Sequence, residues 1–186
     1  MVLVITIIVM KKTNIPLIVN MGLVLLAAFT RLVPHPWNFT AISAMALFSG
    51  NKNKKLLPGI LLPWIALFLT DLFIGFHVTM IYVYGAVALT VMMSRWLQMN
   101  RIRHYVLSAL LSSVIFFVIT NFGVWLSTGF YTRNLNGLIE CFAMAVPFFK
   151  NQVLGDLFYT VALFSSSSVV VKSFEGIVNP SMSKSN

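Results

Sequence analysis

The chain has 186 residues, a mean hydropathy of +0.90, 59% hydrophobic residues and only 9% charged ones. Soluble domains carry about 25% charged residues, so this composition excludes an ordinary soluble domain, and its apolar content excludes a disordered chain. The net charge of +9 does not mark a nucleic-acid binder, because the 13 Lys and Arg residues sit in short groups between apolar runs and form no basic stripe. What remains is an all-α membrane protein, with room for about six or seven spans of roughly 20 residues each.

In chain order, residues 1–10 are apolar but too short to span, and Met10-Lys11-Lys12 reads as a more natural start, with 1–9 as an extension. The first span is predicted over 15–33, as a retained helix and not a cleaved signal peptide, since no small-x-small site closes it. Pro34-His35-Pro36 breaks it. The apolar run 38–50 is short for a span: it is either completed by its flanks or a half-helix buried among the others. A polar loop at 51–55 precedes a third span over 56–76, with Pro58 and Pro63 in its first half, and a fourth over 78–97. A fifth covers 105–130 and a polar turn 131–136. The stretch 138–149 reads as a partly inserted or surface helix, 152–171 as the sixth span, and the polar remainder as a frayed tail. The domain reading is therefore a cytoplasmic segment 1–14, one six-helix transmembrane domain 15–171 and a flexible cytoplasmic tail 172–186.

With six crossings and both termini in the cytoplasm, Lys11, Lys12, Lys52, Lys54, Lys55, Arg95, Arg101, Arg103, Lys172 and Lys184 fall inside. Only Arg31, Arg133 and Lys150 fall outside, as the positive-inside rule requires. The acidic residues sort the other way: Asp71, Glu140 and Asp156 lie in the outer half and only Glu175 inside. Topology does not explain the outer charges, and ionisable groups at membrane depth are costly and functional by default.

Arg31, His35, Trp37, Asn38, Asp71, Asn121, Trp125 and Asp156 all converge on the outer side in this arrangement. Six of them also have a structural reading: Trp37 and Trp125 as interfacial anchors, Arg31 snorkelling, the two aspartates in ion pairs with Arg31 or His77, Asn121 as interhelical glue. Together they suit a small polar or aromatic ligand. No nucleophile elbow, zincin, P-loop or dinucleotide fingerprint occurs. Three separated histidines give no metal-ligand spacing, and the single cysteine, Cys141, excludes a disulfide framework and a multi-cysteine zinc site. No enzyme activity, metal or cofactor is expected.

Three segments carry a resemblance: R-L-V-P-H-P-W-N-F-T-A-I-S-A-M-A-L-F-S-G (31–50), T-N-F-G-V-W (120–125) and V-P-F-F-K-N-Q-V-L-G-D-L-F (146–158). Over about 15–171 the chain resembles a family of small prokaryotic integral membrane proteins, and that family is similar to the substrate-binding S components of energy-coupling factor (ECF) transporters. The resemblance implies a six-helix bundle in the cytoplasmic membrane of a prokaryote, binding a vitamin or related micronutrient from outside. It also implies a transmembrane coupling protein and two cytosolic ATPases as partners. S components often carry A-x-x-x-A on the first helix, a spacing absent from the first span here. The nearest equivalent is Ala46-x-x-x-Gly50, with Ala41 and Ala44 close by. These four small residues are the expected partner interface.

On this reading Arg31 takes a carboxylate or phosphate of the ligand, Asp71 and Asp156 accept from ring or amine donors, Asn121 reads a polar edge and the tryptophans stack. Two other classes remain open: a structural or assembly subunit of a larger membrane complex, and a stand-alone proton-coupled carrier using Asp71 or Asp156 as its relay.

Overall fold

Long apolar runs in a medium without water must satisfy their backbone N–H and C=O groups internally, and a continuous run of about 20 apolar residues does so as a helix. The computed structural model, which describes residues 15–53, 55–97 and 99–178, follows that rule. Its elements are α1 (Ile15–Phe29), a 3-10 turn (Thr30–Leu32), α2 (Ile42–Lys52), α3 (Leu56–Ile74), α4 (Met80–Ser94), α5 (Ile102–Ser127) and α6 (Leu135–Val178). Among the described residues all regular structure is helical. Four segments, Ile15–Leu32, Leu56–Ile74, Ile102–Ser127 and Leu135–Phe174, are long and apolar enough to cross a membrane, and α4 is apolar but shorter. The chain is a helical membrane protein. The expected segment 1–14, residues 179–186 of the tail, and Lys11, Lys12, Lys54 and Lys184 lie outside the described residues.

The centre of the bundle is α2. Residues 41–50 are all buried, and α2 packs against each of the other five helices. At 11 residues it is about 16 Å long, roughly half the hydrocarbon thickness. Of the two readings for the run 38–50, the buried half-helix is the observed one. Small side chains make that depth of burial feasible: a Cβ added to Gly50 would fall on the Ser94 Oγ and the Val91 carbonyl oxygen. Phe48 supplies the bulk, edge-on to Phe164 at 5.1 Å.

Two prolines sit in α3, and the neighbours explain why it survives. Pro58 lies in the first turn, where its missing N–H has no helical acceptor in any case. Pro63 is internal and deprives the Gly59 carbonyl of its partner. The Ser49 Oγ of α2 donates to that carbonyl at 2.8 Å, so a side chain from the central helix closes the gap.

The predicted break between 138–149 and 152–171 does not occur. Both belong to α6, one helix of 44 residues with Pro147 inside it, about 66 Å long at 1.5 Å per residue. Its first half packs along α5: Phe117 meets both Phe142 and Phe149 at 5.6 and 4.6 Å, and the Cys141 thiol lies 3.4 Å from the Asn121 carbonyl oxygen. The polar Asn151 and Gln152 read as a loop in the sequence, but they find protein partners, the Trp37 and Ser113 carbonyls. The helix also runs past the expected end at 171 to Val178.

The elements alternate between two ends of the bundle. Lys52, Lys55, Arg95, Arg101 and Arg103 flank the α2–α3 and α4–α5 connections at one end, where Arg95 donates to the Asn53 carbonyl at 3.0 Å. Arg31, Asp71 and Arg133 lie toward the other. The Pro63 gap yields a double-mutant test. Ser49→Ala should lower stability by about 1–3 kcal/mol by orphaning a buried carbonyl. Thermal unfolding in detergent should show that loss shrinking in a Pro63→Ala background, where the helix regains its own donor.

Candidate functional site

Between α1 and α2 the chain crosses the upper part of the bundle without helical bonding, over 33–41. Pro36 opens a tight turn in which the Phe39 N–H donates to the Pro36 carbonyl at 2.9 Å. Asn38 occupies the third turn position with φ of +62°, the one positive-φ non-glycine among the described residues. That left-handed position favours Gly or Asn, and here asparagine also brings an amide. Trp37 is displayed at the turn tip, 78% exposed, with its ring 6.3 Å from Phe148. Gly155 of α6 lets the segment lie close: a Cβ there would come within 3.1–3.3 Å of the Thr40 nitrogen and the Phe39 backbone.

Beside this segment is a cavity of about 550 Å³. Its polar lining comes from Arg31, His35, Asn38, Thr40, Ser43, Thr120, Asn121 and Gln152, and its apolar lining from Trp37, Ile42, Ile74, Val83, Phe116 and Val124. The size and the mixture of apolar wall with several converging polar groups suit a small organic ligand. Residues Ile42 and Ser43 belong to the first turn of α2, and its N-cap residue, Ala41, has no side-chain oxygen to bond the free N–H groups. The positive end of the α2 dipole therefore opens on the cavity.

Five of the eight predicted site residues line it: Arg31, His35, Trp37, Asn38 and Asn121. Asn121 donates its amide to the Phe117 carbonyl at 2.8 Å, which leaves its oxygen as the acceptor offered to the cavity. Asp71 does not line it. One carboxylate oxygen contacts the Arg31 guanidinium at 2.8 Å, and the other accepts from the Tyr84 hydroxyl at 2.9 Å. Arg31 also donates to Thr70 Oγ1 at 2.5 Å. The expectation that Asp71 receives ligand donors is corrected, since both its oxygens are taken. Arg31 is the member of a neutral pair, and its free edge alone faces the cavity.

Trp125 is also displaced from its expected role. Its indole N–H donates to the Thr132 carbonyl at 2.9 Å and its ring packs on Phe122, so it ties α5 to the following loop. Asp156 lies beneath the floor, 1% exposed, accepting from Ser113 Oγ at 2.7 Å, with Ser43 and Gln152 also beside its carboxyl group. His77 bonds Thr79 Oγ1 at 2.8 Å and pairs with neither aspartate. The expected partner interface is corrected too. Ala41, Ala44, Ala46 and Gly50 are covered on every side by this chain's own helices, because their small size is used to pack α2 at the centre.

Thr40, Ser43, Thr120 and Gln152 were missed as site residues. Single hydroxyls and amides in apolar runs carry no spacing signature. The one usable hint was that Gln152, Asp156 and Thr160 recur every four residues on one face of α6.

Removing one member of the ion pair should be worse than removing both. Arg31→Met leaves a buried carboxylate without its cation and should cost about 3–5 kcal/mol. Arg31→Met with Asp71→Leu should recover most of that loss in a thermal unfolding measurement.

Residues 11–179 match the family model described as "Family of unknown function (DUF6580)". No curated protein and no solved structure matches the chain. The match spans the whole described bundle, including every cavity-lining residue, and the chain belongs to this family.

Proposed function

We propose that this chain is the substrate-binding membrane subunit of a micronutrient uptake transporter, similar to the S components of ECF transporters. It sits in the cytoplasmic membrane of a prokaryote, with its basic end in the cytoplasm and its cavity facing out. The observation that carries the reading is the cavity at the end opposite the basic connections, built on a non-helical segment that leads into a buried half-helix. Membrane carriers bind substrates at such interrupted elements, because unwound backbone at depth is tolerated where it lines a cavity. The charge distribution supports that orientation.

In this reading the ligand is a vitamin-like molecule with an aromatic or apolar body and several polar edges. The body lies against Phe116, Val83 and Val124, with Trp37 as a stacking lid. A carbonyl or carboxylate oxygen of the ligand meets the first turn of α2 and the free edge of Arg31, while Asn121 and Gln152 read donors. The balanced Arg31–Asp71 pair gives the cavity shape and hydrogen-bond selectivity without strong net charge. A coupling protein and two ATPases supply the energy, since this chain carries no P-loop.

A thermal-shift screen of the purified protein against vitamins and related micronutrients tests the binding role. A true ligand at a hundred times its Kd should stabilise the fold by about 2.7 kcal/mol. Asn121→Ala and Gln152→Ala should each weaken that ligand by roughly tenfold, the size of one lost hydrogen bond. Unchanged affinity in both variants would show that the cavity is not the binding site. A mild-detergent pull-down from the native host should recover the coupling protein and ATPases; recovery with a large unrelated complex would instead favour an assembly role.

A further inference from the structure

Asp156 is left without a part in ligand contact, yet it is as fully buried as Asp71 and has no cation beside it among the described residues. Its side chain is 1% exposed and its partners are uncharged: Ser113 Oγ at 2.7 Å, with Ser43 and Gln152 beside it. One turn further along the same face, Thr160 is fully buried and its Oγ1 has no hydrogen-bond partner. A carboxylate in such surroundings needs a compensating positive charge, and the neighbouring elements do not provide one. Helix α1 has no titratable side chain. On α2 the cation is Lys52, at the far end, over the rings of Phe48 and Phe164. On α5, Arg103, His104 and Tyr105 lie in the first turn, two turns or more from Ser113. On α6 itself, Glu140, Cys141, Lys150 and Lys172 are more than one turn away, and Tyr159 packs against Phe39 and Phe158. Arg31 is committed to Asp71, and His35 bonds the Val33 carbonyl at the cavity mouth. The positive end of α2 supplies about half a charge, which does not complete the balance.

We infer that Asp156, with Ser113, Ser43, Gln152 and Thr160, forms a site for one monovalent cation, a proton or an alkali-metal ion, directly beneath the ligand cavity. Ser43 and Gln152 belong to both places: each lines the cavity and each stands beside Asp156. A ligand that turns either side chain toward itself withdraws it from the carboxyl group, so filling of the cavity and filling of the cation site are linked. The linkage rests on the reading of the cavity as a ligand site; the cation site does not.

Infrared difference spectroscopy of the full chain in lipid vesicles tests the site with protons and sodium as the probes and no ligand present. The chain has four acidic side chains, so carboxyl bands can be assigned. In sodium-free acidic buffer we expect one carbonyl-stretch band from a buried protonated carboxylic acid. Asp156→Asn should abolish it, and Ser113→Ala, which keeps the carboxyl group, should displace its frequency. Bleaching of the band by raised pH alone makes the cation a proton, and bleaching by sodium chloride at fixed pH makes it also an alkali-metal ion. No such band in acid, a band untouched by Asp156→Asn, or a band insensitive to both pH and sodium overturns the site. Gln152→Ala should move the bleaching midpoint by about one pH unit, the equivalent of one hydrogen bond, and the remote Ser167→Ala should not. An unmoved midpoint in Gln152→Ala overturns the linkage. A failed ligand screen leaves all of these bands readable.

Discussion

Ten consecutive buried residues, 41–50, impose the organising constraint on this bundle. A helix surrounded on all sides can expose no backbone or side-chain polar group without a partner. Its small residues bring the other helices close, and its hydroxyls are spent on their irregularities. Ser49 completes the Pro63 gap in α3, and Ser43 stands between the cavity and Asp156. Because α2 is only half as long as a span, the chain must descend to it in a non-helical segment. The cavity is the space beside that descent.

Each local departure from regular structure is matched by a named compensation. Pro36 and the left-handed Asn38 make the turn, and Gly155 gives the segment room against α6. The Arg31–Asp71 pair closes the mouth end with Tyr84 and Thr70 around it. This pairing decides the electrostatics of the cavity: a lone guanidinium would attract any anion, whereas a neutral pair leaves selectivity to shape and hydrogen-bond geometry.

Asp71 and Asp156 are equally buried, and what separates these two carboxyl groups that look alike in sequence is the partners each one meets. Both follow a similar pattern of apolar residues, and both read as outer-half site residues. Asp71 ends beside a cation and a phenol, and Asp156 among hydroxyls and an amide. The difference arises from which elements face each one, the 3-10 turn after α1 together with α4 in the first case and α2 and α5 in the second.

Much was legible from the chain alone, because a membrane solvent leaves few options. Composition and run length determined an all-helical membrane protein, the prolines at 34 and 36 marked the break after the first helix, and the scattered basic groups marked one end of the bundle. Five of the eight candidate residues line the cavity, and they could be picked out because charged and aromatic groups between apolar runs stand out in such a sequence. Tertiary structure alone decided that the run 38–50 feeds a buried half-helix over 42–52, that 138–149 and 152–171 are one helix, and that Asp71 and Trp125 are occupied elsewhere. It also brought Thr40, Ser43, Thr120 and Gln152 to the cavity. These outcomes turn on which buried polar groups find partners across the bundle, and pairing between helices leaves no periodic trace in any single one.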